Sequence, residues 1–364
     1  MAKDPGPNLA ARVPREPRHC FWEITDACNL RCVHCEADAG RASEDELSTA
    51  EALALAEDLA RAGCRNVNLT GGEPLVRPDW ADLARRLADR GVSVTVITNG
   101  LLVDDSVVAE LVASGVSGVS VSLDGERAVH DAIRLPVEAT DDSRHDAALG
   151  AIERVVASPL KCAVITQVHR RNLSDLGTMH ERLAGLGVDA WQVQLCMPLG
   201  RLLRYRSEYL LEPAQLPELE EQLAGFIDDG RVPVVVADNI GYYSPREPKL
   251  RGSHRGRSSF WAGCLAGCRV VALCANGDVK GCPSHPRPFV VGNVRETPFA
   301  ELWADGSLFS YNTAWDETLL EGSCARCAYR GVCRAGCTTM AYSVTGTIYD
   351  NPFCIQRSHE GGEA

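Results

Sequence analysis

The chain contains no run of 18 apolar residues among its 364, so no transmembrane helix is expected. Its first 19 residues mix Pro, Arg and Asp without the apolar segment of a secretory signal, and 1–19 reads as a flexible N-terminal tail. Excess positive charge is also missing. Lys and Arg total 37 against 49 Asp and Glu, a net charge of −12, which argues against nucleic-acid or anionic-membrane partners. No internal repeat or low-complexity block stands out. Hydrophobic residues at 45% and charged ones at 24% are ordinary for a soluble globular protein, and the length suits two domains. What the chain has in plenty is cysteine. Sixteen cysteines without a signal peptide point to a reducing compartment, the cytoplasm, and to metal binding rather than disulfides.

Between residues 20 and 197 short apolar runs alternate with helical patterns. Strands are expected at 20–25, 66–70, 92–98, 118–123, 163–169 and 190–195. Helices are expected at 49–62, 80–90, 106–113, 147–157 and 174–186. This alternation predicts an α/β fold with a parallel sheet, either a partial (β/α)6 TIM-like barrel or a doubly wound sheet. In both, ligands collect at the carboxyl ends of the strands. One more helix (216–227) and a strand-like 232–237 follow, then a Pro-, Arg- and Gly-rich connector at 243–257. Cysteine becomes dense from Cys264 as periodicity fades, so the boundary is set near residue 240: a barrel over 20–240, then a connector and cysteine-rich domain over 241–364.

Polar and glycine motifs fall at four consecutive strand ends. Cys28-Asn29-Leu30-Arg31-Cys32-Val33-His34-Cys35 follows the first and Gly71-Gly72-Glu73-Pro74 the second. Asn99-Gly100 follows the third, and Ser122-Leu123-Asp124-Gly125 closes the fourth. Three thiolates on one loop can hold three corners of a four-iron, four-sulfur cube and leave one iron open to a small chelator. Zinc, by contrast, usually takes paired cysteines from two places.

These motifs resemble those of the radical S-adenosylmethionine (SAM) superfamily. The resemblance implies that Cys28, Cys32 and Cys35 hold a [4Fe-4S] cluster whose open iron takes SAM's methionine amine and carboxylate. Gly71, Gly72, Glu73 and Pro74 match the SAM-binding turn, with the glycines admitting the methionine amine and Glu73 facing it or the turn. Ser122 and Asp124, with Asn99, match positions facing the ribose. His34 stands where the family often has an aromatic residue near the adenine. Gln167 and Leu195, ending strands five and six, are further candidates for ribose and adenine contacts. Arg134 is either a partner for a carboxylate of SAM or substrate, or a solvated surface residue. The chemistry implied is reductive SAM cleavage to a 5′-deoxyadenosyl radical that removes a substrate hydrogen atom.

Farther on, Cys264-x12-Gly277-x4-Cys282 precedes Cys324-x2-Cys327-x5-Cys333-x3-Cys337-x16-Cys354. This looks like the seven-cysteine SPASM extension, with Cys268 as an eighth thiol, and eight thiolates satisfy two cubes. By that resemblance Cys324, Cys327, Cys333 and Cys354 hold an outer auxiliary cluster and Cys264, Cys268, Cys282 and Cys337 an inner one, making three [4Fe-4S] clusters with the first. Cys274 is the alternative to Cys268. Cys20, Cys64 and Cys162 read as inert core thiols. Cys196, at the mouth, is either another core thiol or a hydrogen donor.

Two closed auxiliary clusters suit electron transfer, which favours net oxidation. The resemblance therefore implies a modifying enzyme of ribosomally made precursor peptides, forming a cross-link, an oxidation or an excision. It would draw on a donor such as flavodoxin or ferredoxin. Pro283, Ser284 and His285 follow Cys282 where sulfatase-maturing members carry an acidic residue, which disfavours that activity. With only about 19 residues before the first strand, a leader peptide is expected to bind the barrel, the connector or a separate leader-binding protein. The alternatives are a small-molecule dehydrogenase acting on a sugar or aminocyclitol alcohol, an epimerase using Cys196, and a non-catalytic iron–sulfur electron carrier. A carrier needs no SAM pocket.

Overall fold

The computed structural model describes residues 15–252 and 260–359. Six strands, β1 (His19–Thr25), β2 (Asn66–Gly71), β3 (Ser93–Thr98), β4 (Val116–Ser122), β5 (Lys161–Val168) and β6 (Ala190–Leu195), run parallel in chain order. Helices α1 (Thr49–Arg61), α2 (Trp80–Asp89), α3 (Asp105–Ala113), α4 (Arg127–Ile133), α5 (Arg144–Val156) and α6 (Leu176–Leu186) lie between them. This is the partial (β/α)6 TIM-like barrel. The sequence pattern passes over α4, a short element with a polar face.

Alternation along each strand builds the barrel. Trp22, Leu69, Val96, Val121, Val164 and Val193 are buried in the main core. Their neighbours Glu23, Thr70, Ile97, Ser122 and Gln167 point to the other face, stay half-buried and line a cleft. Helix α1 illustrates the local logic. Ser48 and Glu51 form a reciprocal capping box, worth about 1 kcal/mol, and Ala52, Leu55, Ala56 and Leu59 turn a buried stripe to the sheet.

The sheet is wider than six strands. Helix α7 (Leu216–Asp229) leads to β7 (Val234–Val236), which pairs parallel with β6. At the other edge β8 (Val270–Leu273) pairs parallel with β1, β9 (Asp278–Lys280) folds back on β8, and β10 (Gly292–Asn293) closes the edge. The cysteine-rich segment thus extends the barrel's own sheet. It also brings apolar packing that its weak periodicity hides: Phe299, Trp303, Phe309, Met340 and Phe353 join the main core. Arg295 fastens it to α1 through Glu51 at 2.7 Å.

The end of the N-terminal tail is tied down. Arg15 Nη2 donates to Trp303 O at 2.6 Å and Glu16 N–H to Cys268 O at 3.2 Å. The rest of the tail (1–14) and connector residues 253–257 lie outside the described residues. No helix among the described residues is long and apolar enough to cross a membrane.

Candidate functional site

The cleft at the carboxyl ends of the strands encloses about 910 Å³ of space open to solvent. Cys28, Cys32 and Cys35 line one side and none is in a disulfide. Burial pushes the Cys28 thiol up to about 11 and that of Cys32 to about 12. The loop is pinned from three directions. Arg31 N–H and Val33 N–H donate to Leu135 O and Ile133 O, both at 2.7 Å, just past α4. Cys28 N–H donates to Gly40 O at 3.0 Å. Arg201, which nothing in the sequence singles out, donates through Nη1 to Cys32 O at 3.0 Å and through its backbone to Cys35 O at 2.9 Å.

Gly71 and Gly72 line the cleft beside the thiols. Gly71 has φ +137°, and a side-chain carbon on either glycine would overlap the backbone of Thr25 or Ala27. Gly72 N–H and Glu73 N–H donate to Thr25 O and Ala27 O, both at 2.8 Å, so the turn is bolted to the start of the cysteine loop. Glu73 faces the turn rather than the cleft. Its carboxylate accepts from Thr98 Oγ1 and Asn99 N–H, both at 2.8 Å, while burial raises it to about 7. Pro74 is buried and opens a short 3-10 turn, Pro74–Val76. Asn99 lines the cleft and donates to Asn29 Oδ1 at 2.7 Å.

Ser122, His34 and Gln167 face the cleft as expected. Asp124 does not line it: the residue is 0% exposed and consumed internally. Its carboxylate takes Arg134 Nε at 2.7 Å, His34 Nε2 at 3.2 Å and Gln167 N–H at 2.8 Å. Burial alone would raise this carboxyl, but Arg134 and His34 hold it well below the usual range. Arg134 is no surface residue; it reaches from Asp124 to Cys32 Sγ, with Nη1 at 4.0 Å. His130, also missed, accepts from Asp124 N–H through Nδ1 at 3.1 Å.

Two expected residues lie behind the wall. Leu195 is buried, with its backbone N–H and carbonyl bonded to the Asn239 side chain at 3.1 and 2.9 Å, and does not line the cleft. Cys196 packs with Val33, Ile133, Leu202 and Tyr209 and contacts Gln167 Oε1 at 3.4 Å; its thiol does not reach the cleft either.

The C-terminal segment also lines the cleft. Pro283 and Ser284, immediately after Cys282, face the cleft with Glu23 and Glu36. Lys280 Nζ lies 3.8 Å from Glu23 and donates to Pro283 O at 2.9 Å. Cys274 interacts with Glu23 and Lys280, away from the other cysteines. The remaining eight thiols sort into two groups. Burial raises the thiols of Cys268, Cys282 and Cys337, and the neighbouring Cys264 thiol adds to it. Cys324, Cys327 and Cys354 act in the same way on Cys333.

The donor chemistry fits iron and SAM. Three free thiols line the cleft, a glycine cradle adjoins them, and buried His34 Nδ1 has no partner among the described residues. A parallel partial barrel with free thiols and a glycine turn at its mouth, and further thiol groups in the segment that extends its sheet, has the donor set of an iron–sulfur protein. The chain belongs to the radical SAM superfamily and carries a C-terminal SPASM domain. The radical SAM superfamily model matches residues 22–183, and the SPASM model, an iron–sulfur cluster-binding domain, matches 264–328. The chain is 32% identical to the AdoMet-dependent heme synthase of Methanosarcina barkeri, over 94% of this chain and 97% of that protein. It is 31% identical to the mycofactocin maturase MftC of Mycobacterium tuberculosis, over 98% and 88%. Its fold matches SuiB of Streptococcus suis, solved with the precursor peptide SuiA, with a TM-score of 0.72 at 15% identity, covering 94% of this chain and 76% of that one.

Proposed function

We propose that the chain carries out a net oxidative modification of a ribosomally made precursor peptide. In this reading Cys28, Cys32 and Cys35 hold the cluster that binds SAM. Cys264, Cys268, Cys282 and Cys337 hold an inner auxiliary cluster, and Cys324, Cys327, Cys333 and Cys354 an outer one. When bound, the first cluster and SAM supply a carbon radical that removes a hydrogen atom from an unactivated position.

The chain's residues supply placement. Glu73 braces the glycine turn against β3, and Asp124 fixes Arg134 and His34 beside the cysteine loop. Leu30, Ala39 and Ile97 give the cleft an apolar lining that limits water. The observation that carries the reading is a single cleft lined both by the thiols and Gly71–Gly72 and by Pro283 and Ser284 of the C-terminal segment. A substrate seated there meets both the first cysteine set and the two residues that follow Cys282, and clusters with four protein ligands favour moving electrons over binding substrate. A peptide substrate is supported by the relative named as a mycofactocin maturase and by the fold shared with peptide-bound SuiB.

A second reading, a tetrapyrrole substrate, is favoured by the heme synthase relatives. One experiment separates them. The anaerobically reconstituted chain is incubated with SAM, dithionite and either a synthetic precursor peptide or an iron porphyrin, and 5′-deoxyadenosine and product mass are measured. Modification of the peptide alone supports the first reading and of the porphyrin alone the second. Iron near twelve atoms per chain supports three cubes of four, whereas iron near four overturns the auxiliary assignment. Failure to consume SAM overturns the whole reading.

A further inference from the structure

Every cysteine of the inner quartet follows a glycine: Gly263, Gly267, Gly281 and Gly336. Those of the outer quartet follow Ser323, Arg326, Val332 and Phe353. The structure supplies the reason. A side-chain carbon on Gly281 would overlap the Tyr311 hydroxyl, and one on Gly263 would sit 2.7 Å from Arg334 Cδ. Gly336 is packed in the same way on the Tyr242 ring and Gly267 on Phe309. The inner thiols are therefore wrapped by a close layer of large side chains that no β-carbon interrupts.

Two members of that layer have unspent donors. Arg334 is 4% exposed, and only Nη2 finds an acceptor, Asn312 O at 2.6 Å. Its Nε and Nη1 are buried with no partner among the described residues, and the Tyr311 hydroxyl is in the same state. The guanidinium also stacks on the Trp315 ring at 4.9 Å, but buried N–H groups without an acceptor are costly and leave room for a further one. The backbone adds to the cost, since Arg334 and Ala335 both adopt left-handed conformations (φ +60° and +57°) that deliver the side chain inward. The Arg334 side chain runs against Gly263, the residue before Cys264, which sets its idle N–H groups beside the inner quartet. Burial raises the Tyr311 phenol, leaving it a donor.

We propose that Arg334 and Tyr311 donate hydrogen bonds to the sulfur atoms of the cluster held by Cys264, Cys268, Cys282 and Cys337, and thereby raise its reduction potential. This rests on the assignment of that quartet made above. A cubane with four thiolates is anionic and gains one more negative charge on reduction, so a fixed cation and a phenolic donor favour the reduced form. Both residues are positioning groups for the electron acceptor, not catalytic ones.

The test is an anaerobic redox titration followed by electron paramagnetic resonance. The full chain carries Cys28, Cys32 and Cys35 each replaced by Ala, leaving the auxiliary clusters. The wave lost on Cys282→Ala marks the inner one. Arg334→Gln is expected to make its reduction about tenfold less favourable, about 59 mV for one electron. Tyr311→Phe should move it in the same direction by less, and Arg334→Lys should restore most of the loss. An unmoved midpoint in both Arg334→Gln and Tyr311→Phe, at parental iron content, overturns the proposal and leaves the quartet assignment standing. If Arg334→Gln loses the inner iron, Tyr311→Phe decides. A parental chain with no wave sensitive to Cys282→Ala overturns the assignment and the proposal together.

Discussion

Replacing Arg134 by Leu probes the charge arrangement beneath the cysteine loop. Arg134 gives Asp124, which is 0% exposed, its only permanently charged partner among the described residues, at 2.7 Å. Without it the carboxylate keeps His34 Nε2 at 3.2 Å and Gln167 N–H at 2.8 Å, neither of which balances a buried charge at pH 8. Breaking a buried pair this way costs about 3–5 kcal/mol. With a urea slope of about 3 kcal/mol/M for a chain of this size, the midpoint falls by at least about 1 M. Tryptophan fluorescence of the reconstituted protein under nitrogen reads it.

The pH dependence carries a sign that distinguishes the mechanism. In the parent the Asp124 carboxyl is held well below its ordinary value of 3.8, so its contribution is full above that value and disappears as pH falls. In Arg134→Leu burial is left to dominate and raises the carboxyl, so the variant loses stability as pH rises. The deficit should therefore be larger at pH 8 than at pH 5. Adding Asp124→Asn should cost less than the sum of the single losses. A midpoint within about 0.3 M of the parent, or a deficit that grows on acidification, would sink the argument.

Other expectations follow from the same geometry. Gly72→Ala forces a methyl group into Ala27 O and should weaken SAM binding at least about tenfold by calorimetry, about 1.4 kcal/mol; unchanged affinity refutes the cradle. Cys196→Ala should leave turnover within about twofold, about 0.4 kcal/mol, because the thiol lies behind the wall; loss of product with continued SAM cleavage would instead restore the epimerase reading. His130, His169 and His285 are buried and lowered from 6.5 to about 3, so their contribution is full above pH 6.5 and lost as pH falls toward 3. Moving from pH 6.5 to 5 should cost about 2 kcal/mol per histidine, and a His285→Phe chain with an unaltered acid profile would count against this. Arg201→Ala should release the carbonyls of Cys32 and Cys35 and lower iron retention under a chelator; full retention speaks against the clamp.

The barrel strands and the cysteine motifs were legible because period-two apolar runs and clustered thiols are local signals. Gly71 and Gly72 were legible as a turn, yet the collision that demands them is with β1, some forty-five residues earlier, which no local pattern carries. From sequence alone Asp124 reads as facing a ligand, because it follows directly on a strand. Its real partner, Arg134, sits on the far side of α4, and that short helix leaves too few residues to display a period. Arg201 and Arg334 carry no motif at all, since their roles arise from which backbone carbonyls and thiols the fold sets in front of them. Cys268 and Cys274 are six residues apart and alike on paper. The fold separates them by turning Cys274 toward Glu23 and Lys280.

The parallel pairing of β8 with β1 has a mechanical consequence. His19 to Trp22 are laced residue by residue to Val270 to Leu273, and the first of these strands runs into the Cys28 loop while the second turns back through β9 to reach Cys282. The two metal-binding ends therefore hang from one woven frame with no swivel between them. Under the proposed cluster assignment, the distance between the first and inner clusters would be set by this shared frame rather than by a hinge.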